Sequence, residues 1–180
     1  MNFIFMGYRA CGKTTVGRIM AEKLQRPFFD TDHLVQERMG KTIREIVETS
    51  GWEAFREAER AVIGELAGLD GCIIALGGGA VQDQRNVGRL KRKGFFFWLS
   101  ADEETIRERL LKDQASDTQR PPLSGVDIYA EIAAVLQARE PLYRQVADRI
   151  VDTSQRTVEE ITAEIDDFLK IRNEEKARGS

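Results

Sequence analysis

The segment from Gly7 to Thr15, GYRACGKTT, has the residue types and spacing of a phosphate-binding loop. Its glycines allow backbone N–H groups to surround an anion, Lys13 can reach the outer phosphates of a nucleotide, and the hydroxyl of Thr14 can ligate Mg²⁺. A turn that binds nothing would not need the strand pattern before the loop and the helix pattern after it, both of which are present. We expect a bound triphosphate to contact Gly7, Ala10, Cys11, Gly12, Lys13, Thr14 and Thr15.

Two aspartates, Asp30 and Asp32, follow the second predicted strand, Phe28-Phe29. One carboxylate could hold Mg²⁺ through a water molecule while the other accepts a proton from an attacking hydroxyl. The alternative is that both aspartates cap the helix that follows. Their position beside the phosphate-binding loop, at the same edge of the predicted sheet, favours the functional interpretation.

Three glycines, Gly77, Gly78 and Gly79, follow the apolar run from Cys72 to Leu76, which predicts a buried strand. Without side chains, the backbone of these residues can approach a ligand closely and donate hydrogen bonds to it. The alternative is a left-handed connection between the strand and the next helix.

Two arginines, Arg56 and Arg139, lie in predicted helices. As a pair they could bind a small carboxylate bidentately, with Glu59 holding the guanidinium of Arg56 in place. The alternative is that both are solvated surface residues, as most helical arginines are. His33 is interpreted as an exposed helix residue, since phosphoryl transfer does not require a histidine base.

A polar segment from Asp113 to Gly125 contains Pro121-Pro122 and is typical of a functional loop. Arg120 could close over the phosphates as part of a lid and neutralise charge in the transition state. The alternative is that Arg120 is an ordinary loop residue.

Predicted strands alternate with predicted helices along the whole chain, which indicates an α/β fold with a parallel sheet covered on both faces. A helix is expected from Ile128 to about Val146, with a break at Pro141, and a closing helix from Val158 to Ile171. The charged tail from Asn173 onward is expected to fray.

The composition is that of a single globular domain of 180 residues, with 42% hydrophobic and 32% charged residues. A net charge of −3 provides no basic surplus for nucleic acid or an anionic membrane. Two cysteines, Cys11 and Cys72, suggest reduced thiols, and the apolar opening is too short for a signal peptide or a membrane span. We expect a cytoplasmic monomer with a small-molecule substrate and neither nucleic-acid nor membrane partners.

Together these segments resemble the shikimate kinase family, from Met1 to about Phe168. Each motif other than the first is weak alone, but six motifs in the right order are specific. The corresponding segments are Gly7 to Thr15, Asp30 to Asp32, Phe55 to Glu59, Gly77 to Ala80, Arg120-Pro121 and Arg139 to Tyr143.

The resemblance implies a P-loop NTPase fold with three α/β/α layers and a five-stranded parallel sheet. It also implies a lid at about 112–125 and a small helical substrate-binding lobe at about 32–64, all within one domain. The activity implied is ATP-dependent transfer of phosphate to the 3-hydroxyl of shikimate, with Mg²⁺, in the route to chorismate and aromatic amino acids.

The resemblance also assigns roles to individual residues. Lys13, Asp32 and Arg120 would be catalytic, with Asp32 contacting the reacting hydroxyls as the candidate base. Arg109 would stack on adenine, and Mg²⁺ would be held by Thr14 and, through water, by Asp30. Shikimate would contact Asp32, Arg56, Gly77, Gly78, Gly79 and Arg139.

The chain departs from the family pattern in two loops. The adenine loop, Asp152 to Val158, lacks the proline that is usual there, and from this loop Arg156 is assigned to ATP. Pro122, followed by Leu123, stands where many members have leucine. The strand from Cys72 to Leu76 also ends without the aspartate that holds Mg²⁺ in many nucleotide-binding proteins.

Two further function classes remain open from the residues alone. One is a related small-molecule kinase, such as a gluconate or nucleoside monophosphate kinase. The other is a nucleotide-dependent switch, which would leave the set of Asp32, Arg56 and Arg139 unexplained.

Overall fold

Parallel strands and helices alternate along the chain in the computed structural model, which describes residues 1–112 and 128–178. The strands are β1 (Asn2–Met6), β2 (Phe28–Asp30), β3 (Ile73–Ala75), β4 (Gly94–Ser100) and β5 (Arg149–Asp152). The helices are α1 (Lys13–Leu24), α2 (Thr31–Met39), α3 (Ile43–Leu66), α4 (Gln84–Lys91), α5 (Glu103–Lys112), α6 (Ile128–Val146) and α7 (Val158–Arg178), with a short 3₁₀ turn at Ala80–Gln82.

The strands of the described residues form one parallel sheet in the order β2-β3-β1-β4-β5. The expected α/β fold with a five-stranded parallel sheet is therefore confirmed. The chain passes from β1 to its neighbours β3 and β4 through helices, so the loops after the strands meet at the carboxyl edge of the sheet.

Alternating side chains of β1 enter two separate hydrophobic cores, one on each face of the sheet. Phe3 and Phe5 pack with residues of α1 and α7. Ile4 and Met6 pack with residues of α3, α4 and α6. Every residue of β1 is buried because helices cover both faces, which explains why the strand reads as a continuous apolar run.

Two helices, α2 and α3, occupy the segment expected to form the substrate-binding lobe. A capping box between Thr42 and Glu45 begins α3, and Gly51 kinks it with a φ of 82° and a ψ of 167°. The residues on either side of this glycine are therefore two helical segments that meet at a kink. Buried Val35, Ile46 and Ile63 join the pair to the main core.

Two expectations about the C-terminal helices are wrong. The predicted break at Pro141 is absent, because α6 continues through the proline to Val146. Tyr143 and Val146 beyond the proline are buried, so packing offsets the missing backbone donor. The charged end of the chain also stays helical to Arg178, where pairs four residues apart, such as Lys170 with Asp166 at 2.8 Å, support the last turns.

Candidate active site

The phosphate-binding loop leaves β1 and enters α1 with the backbone that its glycines were expected to provide. Gly7 has a φ of 145° and Gly12, at the start of α1, has a φ of 96°. A side chain at position 7 would also overlap the carbonyl of Leu99 in β4. Lys13 extends back over the loop, where its Nζ donates to the carbonyl oxygen of Tyr8 at 2.8 Å. The charged amine is thereby held above the loop backbone.

Thr14 and Asp30 bring a hydroxyl and a carboxylate together beside this loop. Oγ1 of Thr14 donates to Oδ2 of Asp30 at 2.7 Å, while Oδ1 accepts from the backbone N–H groups of Asp32 and His33. Asp30 is therefore a helix cap, which confirms the alternative interpretation for Asp30 but not for Asp32, and its other carboxylate oxygen contacts Thr14, the predicted Mg²⁺ ligand. The described residues contain no cluster of three or more His, Cys, Asp or Glu side chains suited to a metal. The hard oxygen donors of Thr14 and Asp30 suit Mg²⁺ that is otherwise held by nucleotide and water.

Asp32 lies in the first turn of α2 with its carboxylate beside Gly77. A methyl group at position 77 would lie 2.5 Å from Oδ1 of Asp32 and 2.9 Å from Oε1 of Glu59. The backbone N–H of Gly77 donates to Oγ1 of Thr31 at 2.8 Å, which ties the ends of β2 and β3 together. The carboxylate of Asp32 therefore lies against the triple glycine, as an acceptor-side residue would.

Arg56 lies next to Gly79 and is fixed by Glu59. Its Nη1 donates to Oε2 of Glu59 at 2.7 Å, and the Glu59 side chain is only 1% exposed. The guanidinium also lies 5.1 Å from the ring centroid of Phe55 and 5.8 Å from that of Trp52. A methyl group at position 79 would overlap this guanidinium. The predicted pairing of Arg56 with Glu59 is confirmed, and the solvated-surface alternative is wrong for Arg56.

Arg139 lies in α6, and its guanidinium contacts the backbone of Gly78. Its Nη1 donates to the carbonyl oxygen of Gly78 at 3.2 Å, and the residue is 9% exposed. The same carbonyl accepts the hydroxyl of Tyr143 at 2.5 Å. Burial raises the pKa of the Tyr143 phenol, so this side chain remains a proton donor. The solvated-surface alternative is therefore wrong for Arg139 as well.

None of the three glycines adopts a left-handed backbone, so the alternative of a left-handed connection is wrong. Glycine is required at positions 77 and 79, because the carboxylates of Asp32 and Glu59 and the guanidinium of Arg56 approach too closely for a Cβ atom. Gly78 also lies against the phosphate-binding loop, since a methyl group there would lie 3.4 Å from the carbonyl oxygen of Gly7 and 3.6 Å from the backbone nitrogen of Arg9.

A cavity of about 400 Å³ opens beside the phosphate-binding loop. Arg109 borders it and donates to the carbonyl oxygens of Ala10 and Thr153 at 3.2 and 2.6 Å. Arg156 also borders it and is bonded to Oε2 of Glu164 at 2.7 Å. The lining residues include Ala10, Cys11, Gly12, Thr15, Arg109 and Arg156. Of the described residues predicted to contact the nucleotide, these six border one cavity, whereas Gly7, Lys13 and Thr14 do not line it.

The remaining predictions concern the lid, His33 and the two cysteines. Arg120, Pro122 and Leu123 fall outside the described residues, as does the expected lid beyond its first residue. His33 is exposed, as expected, and its Nε2 lies 3.3 Å from Oε1 of Glu37. The described cysteines, Cys11 and Cys72, are free thiols, also as expected.

Three contributors to the site were not predicted from the sequence: the Thr31 hydroxyl, the Tyr143 hydroxyl and the Gln82 amide. Tyr143 stands at the end of a recognised motif, so the motif was the available signal. Gln82 lies next to Arg139 and belongs to no motif, so no sequence pattern could have indicated it.

Comparison with known proteins agrees with this geometry. The family model for shikimate kinase matches residues 9–170. The shikimate kinase of Syntrophus aciditrophicus is 46% identical over 172 residues, covering 91% of this chain and 88% of that protein. That of Symbiobacterium thermophilum is 41% identical over 174 residues, covering 97% and 99%.

A solved structure extends the similarity to the fold. Shikimate kinase from Acinetobacter baumannii in complex with shikimate has a TM-score of 0.87 and 33% identity, covering 95% of this chain and 93% of that one. The matched range contains the phosphate-binding loop from Arg9 onward, the triple glycine, Arg56 and Arg139. The chain therefore belongs to the shikimate kinase family.

Proposed function

We propose that this chain transfers the γ-phosphate of ATP to the 3-hydroxyl of shikimate, giving shikimate 3-phosphate and ADP. One observation carries the proposal: Asp32, Arg56 and Arg139 converge on three consecutive glycines that lie against the phosphate-binding loop. Membership of a family of ATP-dependent kinases with a hydroxyl acceptor supports the reaction type.

The three glycines, Gly77, Gly78 and Gly79, form a surface that we call the acceptor floor. This floor has two chemically different ends. Asp32 beside Gly77 offers a carboxylate for a hydroxyl, whereas Arg56 and Arg139, beside Gly79 and Gly78, offer guanidinium groups for an anion. A small substrate with a hydroxyl at one end and a carboxylate at the other matches this polarity. Shikimate has that arrangement, and the shikimate-bound relative has the same fold at 33% identity.

Catalysis on this floor would consist of positioning and charge neutralisation. The arginines hold the acid end, which directs the acceptor hydroxyl to Asp32, and the Asp32 carboxylate orients that hydroxyl and accepts its proton. Lys13, held above the loop, neutralises charge on the transferring phosphoryl group. Thr14 and, through water, Asp30 would hold Mg²⁺, which would supply further neutralisation of charge on the phosphates.

The test is ADP release measured in parallel with shikimate, gluconate and nucleoside monophosphates as acceptors. We expect release to depend on shikimate and to be abolished by Lys13→Ala, because the lysine charge faces the phosphates. Faster turnover with gluconate or a nucleoside monophosphate would mean that this compound, and not shikimate, is the preferred acceptor. Unchanged turnover in Lys13→Ala would contradict a kinase reaction at this loop.

We also propose a monomer that works in the cytoplasm. Free buried thiols at Cys11 and Cys72 support a reducing compartment. Within the described parts of the chain, no helix has the length and apolar composition needed to cross a bilayer. Exposed large apolar residues are scattered over several elements, which supports a monomer: Met1, Met39, Leu69, Leu111, Ile150 and Ile171. Light scattering at assay concentration tests the monomer.

A further inference from the structure

We infer that Gln82 is a positioning residue for Arg139, and that it determines how strongly the site selects an acidic over a neutral acceptor. The inference rests on the proposed function, in which Arg139 binds the carboxylate of the acceptor. It concerns the neighbour that fixes the direction in which that guanidinium points.

The contact between Gln82 and Arg139 has only one chemically consistent orientation. A guanidinium has no acceptor atom, so the amide atom that faces it must be the oxygen. In that orientation the Gln82 oxygen accepts from Nε of Arg139 at 2.7 Å and from Nη2 at 3.3 Å. One oxygen therefore engages one whole edge of the guanidinium fork.

The opposite side of the same guanidinium is fixed by the floor. Nη1 donates to the carbonyl oxygen of Gly78, which Tyr143 holds with a second hydrogen bond. A guanidinium carries five N–H groups in one plane, and these contacts within the described chain engage three of them. The remaining two, one on each terminal nitrogen, suffice for a bidentate carboxylate. Because the fork is rigid, holding two of its edges sets the direction of the third.

Gln82 is itself held by the acceptor floor. It ends the 3₁₀ turn that follows the triple glycine, and its backbone N–H donates to the carbonyl oxygen of Gly79 at 3.1 Å. Gly79 is the residue that Arg56 approaches. One short turn thus relates the positions of both arginines, through direct contact with Arg56 at one end and through the Gln82 amide with Arg139 at the other.

The neutrality of the amide also matters. A glutamine oxygen orients Arg139 without cancelling its charge, so the full positive charge remains for the acceptor carboxylate. A glutamate at this position would form a bidentate pair with Arg139 and compete with the substrate. A leucine would leave the Nε–H group of a largely buried arginine without this acceptor.

The experiment compares Gln82→Leu and Gln82→Glu with a control, Gln84→Leu, which changes an exposed glutamine two residues further on. Each protein is assayed with shikimate and with its neutral carboxamide at saturating ATP. For Gln82→Leu we expect the KM for shikimate to rise roughly 3- to 10-fold, with kcat within about twofold of wild type. For Gln82→Glu we expect a rise of more than roughly tenfold, because the new carboxylate competes for Arg139.

The carboxamide separates positioning from a general structural effect. Both substitutions should raise the KM for the acid more than the KM for the carboxamide, and the KM for ATP and the melting temperature should match those of Gln84→Leu. An unchanged KM for shikimate, or equal rises for acid and carboxamide, would overturn the inference. Wild-type protein that releases no ADP with shikimate would instead overturn the proposed function, and this inference with it.

Discussion

Two carboxylates, Asp32 and Glu59, approach the same glycine, and their surroundings assign them different roles. Glu59 is almost fully buried and is bonded to Arg56, so it serves to fix that guanidinium. Asp32 is partly exposed and lies in the first turn of α2, at the carboxyl edge of the sheet. Only Asp32 therefore combines access to an acceptor with a position beside the phosphate-binding loop.

Replacement of Asp32 by asparagine tests this assignment. The asparagine side chain would keep the shape and the hydrogen bond to a hydroxyl but could not take its proton, so we expect kcat to fall by roughly 100-fold or more. The KM for ATP should stay unchanged, because Asp32 lies on the acceptor side. Steady-state kinetics measure both, with Asp167→Asn, at an exposed position on α7, as the control. Retention of most of kcat would show that Asp32 only orients the hydroxyl.

At the scale of elements, the connection after β3 forms the acceptor floor, whose shape depends on three glycines that have no side chain. Strand β3 pairs with β1 on one side and β2 on the other, so its end lies between the phosphate-binding loop and Asp32. Gly77 and Gly79 leave room for the carboxylate of Asp32 and the guanidinium of Arg56, and the carbonyl oxygen of Gly78 accepts from Arg139. A single methyl group at position 77 or 79 should disturb binding without disturbing the sheet.

Gly79→Ala is the sharpest test of this floor, because its new methyl group would overlap the guanidinium of Arg56. We expect the KM for shikimate to rise roughly tenfold, since a displaced arginine misorients the acceptor. Gly88→Ala is the control: its methyl group meets no atom of the described chain within 4 Å, and it lies at an exposed position of α4. That control should keep wild-type kinetics and gain about 0.5–1 kcal/mol of stability from helix propensity. Wild-type kinetics in both variants would contradict the floor.

The start of α4, next to this floor, should make stability depend on pH. Hydrogen bonds from Arg85 to the carboxylate of Asp83 lower the pKa of that carboxyl from 3.8 to about 2. A carboxyl whose pKa is lower in the folded state stabilises the fold above its unfolded pKa, and this stabilisation is lost as pH falls from about 4 towards 2. Asp83→Asn, which keeps a capping side chain, should be less stable than wild type by about 2 kcal/mol at most at pH 7.

Chemical denaturation across pH measures the effect. The difference in unfolding free energy between wild type and Asp83→Asn should shrink as pH falls from about 4 to about 2. A difference that stays constant through this range would mean that the Asp83 charge contributes nothing to stability.

The elements that could be predicted from the sequence are those with strong local signals. The phosphate-binding loop and the apolar strands depend on residues that are adjacent in the chain. The helix through Pro141 could not be predicted locally, because burial of Tyr143 and Val146 overrides the proline. The hydrogen bond between Tyr143 and Gly78 joins residues 65 positions apart, so only the folded sheet reveals it.

At the scale of the whole molecule, the two halves of the site lie in loops that follow two neighbouring strands of one sheet. The phosphate side follows β1, and the acceptor floor follows its neighbour β3. Gly78 packs against Gly7 where the two loops meet. Nucleotide and acceptor would therefore bind adjacent but separate loops of one sheet, and each should protect the fold through its own residues.

Ligand-dependent melting of the whole protein can separate these halves. A ligand that binds only the folded state at 100 times its Kd adds about 2.7 kcal/mol of stability, which corresponds to a rise of roughly 5–10 °C in Tm for a chain of this size. Shikimate and ATP with Mg²⁺ should each raise the Tm of wild type. Arg139→Ala should lose the shift with shikimate and keep the shift with ATP, because its guanidinium faces the acceptor floor. Lys13→Ala should show the reverse pattern, since its amine lies over the phosphate-binding loop and would face the phosphates of bound ATP. Loss of both shifts in either variant would mean that the two halves fold or bind as one unit, and a full shikimate shift in Arg139→Ala would remove Arg139 from the acceptor site.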